Sequence, residues 1–360
     1  MTTDTVQHPI AETRSALQGR VNLRVRTIAT SALAVALMAP AAAVAVAAPA
    51  HALDPFPRDY ATWHYVDTTS GSAWKLTSDQ AGDIWYADDN TEELVRIAPG
   101  VAGSTAFPLG LTDTRTVSMA ATPDGHIWLG DAGPADNVMR RLDPTTGIVD
   151  TFPLAGRFPS APEDIAVDEV GNIWFGGWNG ASDPGLTMIR PDGSSSTVAS
   201  PSGHMIEQIA VARDGRVWFT QDASSEFTVY DPFAKTYTTV SLGAVAPTGI
   251  WGAIDVQVSK SGDIWAATST GVAKIAPDGT LLIVKAYPTR ALPVTPRSMV
   301  AGEHAEMYMT DGEGGLARFD SAGNTTFYAA PFSAHDSWSV AVDRFGGMWT
   351  TLDGAHLGWV

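Results

Sequence analysis

The chain has 360 residues, no cysteine, and 39 acidic against 22 basic side chains, for a formal net charge of −17. This charge disfavours nucleic acids and anionic membranes as partners. The absence of cysteine excludes both a disulfide framework and a lipidated cysteine anchor. Cations, sugars, peptides and basic small molecules are compatible with such a composition.

The first 52 residues are predicted to be a signal peptide. Four arginines precede an apolar run from Thr27 to Ala48, and Ala50-His51-Ala52 forms a small-x-small cleavage signal. Cleavage before Leu53 predicts a secreted protein whose single domain spans 53–360. The leader carries four arginines and two acids, so removing its charge of +2 from −17 leaves −19. The alternative is a retained membrane anchor, because the run is long enough to cross a bilayer. We expect a monomer with no other membrane insertion.

A motif that ends in an aromatic residue recurs along the rest of the chain. It reads Gly-x-(Ile/Val/Met)-Trp and ends at Trp85, Trp128, Trp174, Trp218, Trp265 and Trp349, with Tyr308 in one degenerate copy. The aromatic positions are 41 to 47 residues apart. A period in the forties is typical of propeller blades or of paired helical repeats.

The composition of the repeat selects the propeller. Ile165–Asp168 and Ile173–Phe175 flank Gly171-Asn172, which is the pattern of a β-hairpin. A third strand and a fourth, rich in Thr, Tyr and Val, follow in most units, and helical periodicity is absent. The sequence therefore predicts an all-β, seven-bladed β-propeller of four-stranded blades.

The last repeat has room for only three strands. An additional strand, Thr62–Val66, precedes the first repeat and has the composition of a fourth strand. We predict that this N-terminal strand closes the last blade by pairing with the C-terminal strand, which leaves no open edge there.

The repeats resemble those of streptogramin B lyases, the virginiamycin B lyase family. Segments Thr122–Leu129 and Val170–Phe175 are similar to the Pro-Asp-Gly-x-(Ile/Leu)-Trp-Phe-Thr-Glu blades of that family, and the resemblance covers Trp63 to Val360. It implies a Mg²⁺-dependent elimination that opens a cyclic depsipeptide lactone. In such lyases a His before an innermost strand and Glu residues after Trp-Phe-Thr carry the reaction.

The catalytic pair that this resemblance implies is missing. We expect the residues eleven before and three after each repeat aromatic to face each other at the mouth of the central channel. These pairs are Trp74/Asp88, Val117/Asp131, Glu163/Gly177, Glu207/Gln221, Ile254/Thr268, Arg297/Asp311 and Trp338/Leu352. None places His opposite Glu, so the resemblance carries the fold and not the catalytic residues.

Two other histidines are candidates for a relocated base. His204 and His335 each lie fourteen residues before a repeat Trp, and Glu207 follows His204 closely. Both histidines map to connections that enter an innermost strand at the mouth. The alternative is that they are solvated loop residues.

Acidic side chains concentrate near the same mouth. They are Asp88, Asp131, Glu163, Asp164, Glu207, Asp255 and Asp311. Mutually repelling carboxylates suit Mg²⁺ or Ca²⁺. We single out Asp88, Asp131, Asp311 and Glu163 as candidate metal ligands. The alternative is that a strongly acidic protein places carboxylates everywhere.

The tryptophans divide into two groups. The six repeat tryptophans are predicted to pack between blades. Four others map to the mouth and, with one arginine, are candidate ligand-binding residues: Trp74, Trp178, Trp251, Trp338 and Arg297. Aromatic rings beside carboxylates form platforms for sugars or aromatic peptides, although some of these rings are alternatively plugs between blades.

Three functional hypotheses follow from this pattern. The first is an exported propeller that binds a sugar, peptide or natural product at an acidic, Trp-lined mouth. The second is a Mg²⁺-dependent lyase that uses His204 or His335 as a shifted base. The third is a scaffold for protein partners, because propellers host unrelated functions.

Overall fold

The computed structural model describes most of the chain after residue 62. The described ranges are 63–68, 73–110, 115–131, 138–154, 161–178, 185–222, 224–242, 252–286, 297–302, 305–310, 315–328, 337–352 and 355–360. The regular elements within them are strands, and none of their residues forms a helix able to cross a membrane. The predicted signal peptide lies outside the described residues.

Seven four-stranded antiparallel sheets form the blades. Blade 1 comprises β2 (Ala73–Ser78), β3 (Ile84–Asp88), β4 (Glu93–Ile97) and β5 (Ser104–Pro108). Blade 2 comprises β6 (Thr116–Ala121), β7 (Ile127–Asp131), β8 (Val138–Asp143) and β9 (Ile148–Pro153). Blade 3 comprises β10 (Ala161–Val167), β11 (Ile173–Trp178), β12 (Gly185–Ile189) and β13 (Ser195–Ala199).

The next three blades repeat this order. Blade 4 comprises β14 (Ile206–Val211), β15 (Val217–Gln221), β16 (Glu226–Asp231) and β17 (Thr236–Ser241). Blade 5 comprises β18 (Ala253–Val258), β19 (Ile264–Thr268), β20 (Gly271–Ile275) and β21 (Leu281–Ala286). Blade 6 comprises β22 (Met299–Ala301), β23 (Met307–Thr310), β24 (Leu316–Phe319) and β25 (Thr325–Tyr328).

Blade 7 joins the two ends of the described chain. It contains β26 (Val340–Val342), β27 (Met348–Thr351) and β28 (His356–Trp359), and its outer strand is β1 (His64–Asp67). The register of β1 on β28 runs from His64 opposite Trp359 to Asp67 opposite His356. The predicted closure of the last blade by the N-terminal strand is confirmed.

The innermost strands contact one another in blade order, and β26 contacts β2, so the seven blades form a closed ring. The repeat aromatics are buried at the interfaces between blades, as predicted: their exposed fraction is between 0% and 6%. Trp85, for example, packs with Met119 and Ile127 of the next blade. Tyr308 takes the same place in blade 6, against Val340 and Met348 of blade 7.

Several repeat tryptophans are anchored by an aspartate six residues earlier. The indole Nε1 donates to this aspartate in three blades, at 2.8 Å in Trp85–Asp79, 3.2 Å in Trp174–Asp168 and 2.9 Å in Trp349–Asp343. Alanine stands at this position in blade 4, and the Nε1 of Trp218 has no hydrogen-bond partner among the described residues. The hairpin aspartate therefore serves both its turn and the blade interface.

The innermost strands of blades 1 to 5 are bulged where they begin, and this changes the predicted pairing. Asp131 lies opposite Thr116 instead of Val117, and Thr268 lies opposite Ala253 instead of Ile254. Blades 1, 3 and 4 are shifted in the same way. A bulge inserts an extra residue into one strand of a pair. The predicted pairs were therefore wrong by one residue in these five blades, but the corrected pairs also lack histidine.

Candidate functional site

One residue from each blade lies at the channel mouth, eleven positions before the repeat aromatic. We call this set the mouth ring. In blade order it consists of Trp74, Val117, Glu163, Glu207, Ile254, Arg297 and Trp338. The bulges of blades 1 to 5 lie at this position. The two sides of the mouth ring differ in chemistry. Its arginine and its two tryptophans come from three neighbouring blades, and its two glutamates come from the blades on the opposite side of the channel.

The aromatic pole of the mouth ring consists of Arg297, Trp338 and Trp74 from blades 6, 7 and 1. The guanidinium carbon of Arg297 lies 3.9 Å from the centre of the Trp338 ring. The Trp74 ring meets the Trp338 ring edge-on, with centroids 5.9 Å apart and planes at 74°. Three of the five predicted ligand-binding residues therefore lie together.

The backbone at this pole is fixed by threonines of the adjacent strands. The backbone N–H of Trp338 donates to Thr351 Oγ1 at 2.9 Å, and that of Arg297 donates to Thr310 Oγ1 at 3.3 Å. The indole Nε1 of Trp338 is buried and has no hydrogen-bond partner among the described residues. Buried indole N–H groups usually have an acceptor, but the buried Nε1 atoms of Trp218 and Trp265 also lack one among the described residues, so this feature does not by itself mark a ligand contact.

The other two predicted ligand-binding tryptophans cannot be placed. Trp178 ends β11, and its side chain lies outside what the structure describes; Trp251 lies outside the described residues altogether. Both stay predictions.

The acidic pole consists of Glu163, Glu207 and Asp222, from blades 3 and 4. Loss of solvation, together with the charges of Asp222 and Glu163, raises the pKa of Glu207 to about 7. Asp222 was not predicted as a site residue. It directly follows Gln221 at the end of β15, four residues after the repeat Trp218, and this is the repeat position that Trp178 occupies in blade 3.

One of the two candidate histidines lies beside the acidic pole. His204 Nδ1 lies 3.7 Å from Asp222 Oδ1, and both side chains are partly exposed. The Nε2 amide of Gln221 donates to Ser200 and Ser202 and so holds the segment that enters blade 4. His204 and Glu207 both lie in the segment that enters blade 4, and the catalytic roles expected of them stay predictions. His335 lies outside the described residues.

The predicted metal ligands do not form a metal site in the described part of the chain. Asp88 Oδ1 accepts hydrogen bonds from the N–H groups of Asn90 and Thr91, and Asp131 pairs with Arg140 at 2.5 Å. Glu163 belongs to the acidic pole, and Asp311 lies outside the described residues. The described residues contain no group of three or more His, Asp or Glu side chains placed to bind a cation. They therefore do not fit the Mg²⁺ that the resemblance implies.

Two further acids directly follow mouth-ring residues in the sequence. Asp164 lines a channel cavity of about 350 Å³ that is also lined by Lys75 and Arg297, whereas Asp255 is buried and does not line this cavity. Asp164 accepts the N–H of Ile209 at 3.0 Å, and Asp255 accepts the N–H of Met299 at 2.6 Å. Each bond links one blade to the next. Burial raises the pKa of Asp164 to about 6, and burial with the charge of Asp164 raises that of Asp255 to about 8.

These features define the protein as a seven-bladed propeller with a two-sided polar mouth at its central channel. The chain belongs to the virginiamycin B lyase family, whose model matches residues 59–360. No curated protein sequence matches it.

Solved structures support the fold. A streptogramin B lyase structure aligns with a TM-score of 0.69 and 16% identity, covering 83% of this chain and 96% of that one. A catalytically inactive virginiamycin B lyase from Staphylococcus aureus with quinupristin aligns with a TM-score of 0.69 and 16% identity, covering 83% and 98%. YCF48 bound to a D1 peptide aligns with a TM-score of 0.64 and 13% identity, covering 87% and 99%.

Proposed function

We propose that this protein is an exported binding propeller whose channel mouth takes a peptide or peptide-like natural product with an aromatic group and a basic group. The observation that carries the proposal is the division of the mouth ring. Trp338 contacts both Arg297 and Trp74, and the three residues belong to consecutive blades. Glu163 and Glu207 belong to the two blades across the channel from them.

The aromatic pole suits a flat or apolar ligand group. A ring placed against Trp74 and Trp338 gains contact area, and aromatic pairs are worth about 0.5–1.5 kcal/mol beyond their burial.

The acidic pole suits a positive charge. Glu163, Glu207 and Asp222 repel one another, which is part of why the pKa of Glu207 is raised. A bound ammonium or guanidinium group relieves this repulsion. A neutral sugar stacks on tryptophan equally well but gains nothing from these carboxylates, so the two poles together favour a basic peptide-like ligand over a sugar.

A matched pair of ligands tests this proposal. Calorimetric titration compares phenylalanyl-phenylalaninamide, which has a free amino group, with its N-acetylated form. We expect the free amine to bind at least threefold more tightly at pH 6.5, where it is charged. Equal affinities would remove the acidic pole from the proposal, and no binding of either ligand, or of quinupristin, would reject it.

A second function is favoured by the chemistry of Glu207. A carboxyl group with a pKa of about 7 is suited to proton transfer near neutral pH. His204 lies at the same mouth, 3.7 Å from Asp222. As the alternative, we propose a lyase in which Glu207 or His204 acts as the base.

The elimination would proceed in one balanced step. The base removes a proton from the carbon next to a carbonyl group, a carbon–carbon double bond forms, and the ester carbon–oxygen bond breaks to release a carboxylate. The opened product has the mass of the lactone. No step is assigned to Mg²⁺, because the described residues do not fit it.

Incubation with a streptogramin B lactone, followed by mass spectrometry, distinguishes the outcomes. A ring-opened product of unchanged mass indicates elimination, and a product heavier by one water indicates hydrolysis. Glu207→Gln and His204→Ala would each abolish turnover if that residue is the base. An intact lactone leaves binding as the function.

A further inference from the structure

Blades 3 and 4 enclose a second cavity that is separate from the channel. It measures about 480 Å³, against about 350 Å³ for the channel cavity. Its walls come from the outer strands β12, β13, β16 and β17. It opens near the turns that join third and fourth strands, at the end of the ring away from the mouth. Ligand pockets commonly have volumes of 300–1,000 Å³.

The corresponding space is filled at the two preceding blade interfaces. In blade 1, the Trp85 ring is covered by Arg96, whose guanidinium carbon lies 5.6 Å from it, and by Phe107 at 5.4 Å. Blade 2 has the same arrangement around Trp128. The Trp128 ring lies 5.7 Å from the guanidinium carbon of Arg141 and 4.7 Å from the ring of Phe152.

Blade 3 lacks both covering groups. Met188 lies opposite Trp174, where Arg96 lies opposite Trp85. Val198 lies opposite Leu186, whereas in blade 1 the residue opposite the equivalent Leu94 is Phe107. A guanidinium and a phenyl ring are thus replaced by a thioether and an isopropyl group, and the cavity is the space that these smaller side chains leave.

The opposite wall is aromatic. The rings of Tyr230 and Tyr237 lie 4.8 Å apart, and Tyr230 lies 6.5 Å from Trp174. The Tyr237 hydroxyl donates to the carbonyl of Ala199 at 2.8 Å, which ties blade 4 to blade 3. Burial raises the pKa of Tyr237 to about 12, so the wall is neutral at physiological pH.

The rim of the cavity is basic in a protein that is otherwise strongly acidic. Arg190 and Lys235 both line the cavity. The acids of the same two turns, Asp192 and Asp231, do not line the cavity. Asp192 accepts a hydrogen bond from the backbone N–H of Ser194 and Asp231 accepts one from that of Phe233, both at 2.8 Å. The charge of the rim therefore complements an anion.

Lys235 also has an unusual backbone conformation. Its φ is +55°, in the left-handed region, whereas Gly147 takes the equivalent place in the turn of blade 2 with φ +72°. Glycine adopts this conformation without strain and lysine does not. Strain of this kind often marks functional positions, and here it places a lysine at the cavity rim.

We infer that the cavity between blades 3 and 4 is a second binding site, for a small amphipathic anion with an aromatic or alkyl body and a carboxylate or sulfonate group. The body lies against Trp174, Tyr230 and Tyr237 in the space that a phenyl ring fills in blades 1 and 2. The anionic group meets Arg190 and Lys235 at the rim. This site is independent of the mouth.

The test uses the fluorescent aromatic sulfonate 1-anilinonaphthalene-8-sulfonate as the probe. We expect saturable binding to the folded protein at one site. The double variant Met188→Arg/Val198→Phe refills the cavity with the groups that blades 1 and 2 use, and it should weaken binding at least tenfold. Unchanged affinity in a double variant with native circular dichroism would overturn the inference.

A second variant keeps the test decisive if the double variant does not fold. Lys235→Gly removes the rim charge and also relieves the left-handed strain, so it should unfold at the same temperature as the wild type or higher. We expect it to bind the probe three- to tenfold more weakly, with less dependence on salt. Equal affinity and equal salt dependence in this variant would contradict an anion site.

Discussion

The guanidinium carbon of Arg297 lies 3.9 Å from the centre of the Trp338 ring, although the two residues belong to different blades. The contact orders both side chains before any ligand arrives. Because less side-chain freedom is then lost on binding, a preordered platform favours affinity.

Replacing Trp338 with alanine should weaken binding of phenylalanyl-phenylalaninamide about tenfold or more, since both the ring contact and the orientation of Arg297 are lost. Trp338→Phe keeps a ring and should retain most of the affinity. Calorimetric titration measures both variants, with melting temperatures as the control for folding. An alanine variant that binds like the wild type would show that the aromatic pole is not the site.

The raised pKa of Glu207, about 7, predicts a pH-dependent affinity for cations. The carboxylate becomes ionised as the pH rises through 7, so binding of phenethylguanidine, whose charge is constant over this range, should tighten about threefold or more between pH 6 and pH 8. Glu207→Gln should remove this dependence. Titration of both proteins at the two pH values measures it, and parallel curves would contradict the assignment.

The fold could be predicted from the sequence because one buried aromatic marks every blade interface. Trp85 and its equivalents must be large and apolar to fill the gap between neighbouring sheets, and each of their hairpins has a residue at positive φ, which is glycine in every blade except the sixth, where it is Ala305. Both requirements recur once per blade, so they appear in the sequence as a periodic motif. Even the closing strand His64–Asp67 was predictable, since a three-stranded last repeat needs a partner.

The site was only partly predictable. Trp74, Trp338 and Arg297 share one repeat position, so the sequence predicted where they lie but not that they touch. The strand bulges left no signature, because a bulge adds a residue without requiring any particular side chain there. The cavity beside Trp174 was missed for a different reason: it results from the small size of Met188 and Val198, and these residues are unremarkable in isolation.

The buried Asp255 should make the stability of the propeller fall as the pH rises. Its pKa is about 8 when folded and near 3.9 when unfolded, so between these values the folded state holds a proton that the unfolded state has released. The free energy of unfolding therefore decreases from about pH 4 to pH 8. Asp255→Asn cannot ionise, and its melting temperature should vary less between pH 5 and pH 9.

Asp278→Asn is the matched control for that measurement. Asp278 lies in an exposed turn, and hydrogen bonds from Thr280 lower its pKa. It is therefore ionised over the whole range, and its replacement should leave the slope between pH 5 and pH 9 unchanged. Equal slopes in all three proteins would mean that Asp255 does not control the pH dependence.

Ala212→Asp should stabilise the protein. Asp79, Asp168 and Asp343 accept the indole N–H of their repeat tryptophans, whereas Trp218 Nε1 has no partner in the described structure. Supplying the missing acceptor should add about 1 kcal/mol to the free energy of unfolding and raise the melting temperature by about 2 °C. Ala212→Asn, which offers a neutral acceptor, should have a smaller effect of the same sign; destabilisation by both would show that this turn cannot adopt the geometry of the others.

Closure of the ring depends on Gly82, which lies where blade 1 meets blade 7. Its φ is +72°, and a Cβ atom added there would lie 2.6 Å from the Cα of Arg344 and closer still to the Cβ of that residue. Gly125 provides the matched control, because its φ is +87° and a Cβ atom there would meet nothing within 4 Å. Both substitutions by alanine incur left-handed strain of about 1 kcal/mol, but only Gly82→Ala also forces two backbones apart.

We therefore expect Gly125→Ala to lower the free energy of unfolding by about 1 kcal/mol and Gly82→Ala to lower it by about 3 kcal/mol or more, as strained and overpacked substitutions do. The interface also contains the hydrogen bond from the Arg344 N–H to the Gly82 carbonyl, 3.3 Å long, and the one from its guanidinium to the Pro99 carbonyl, 2.6 Å long. Gly82→Ala displaces the segment that makes both. Denaturant unfolding of the two variants measures the difference, and similar losses would mean that Arg344 can move away without weakening the junction between the first and last blades.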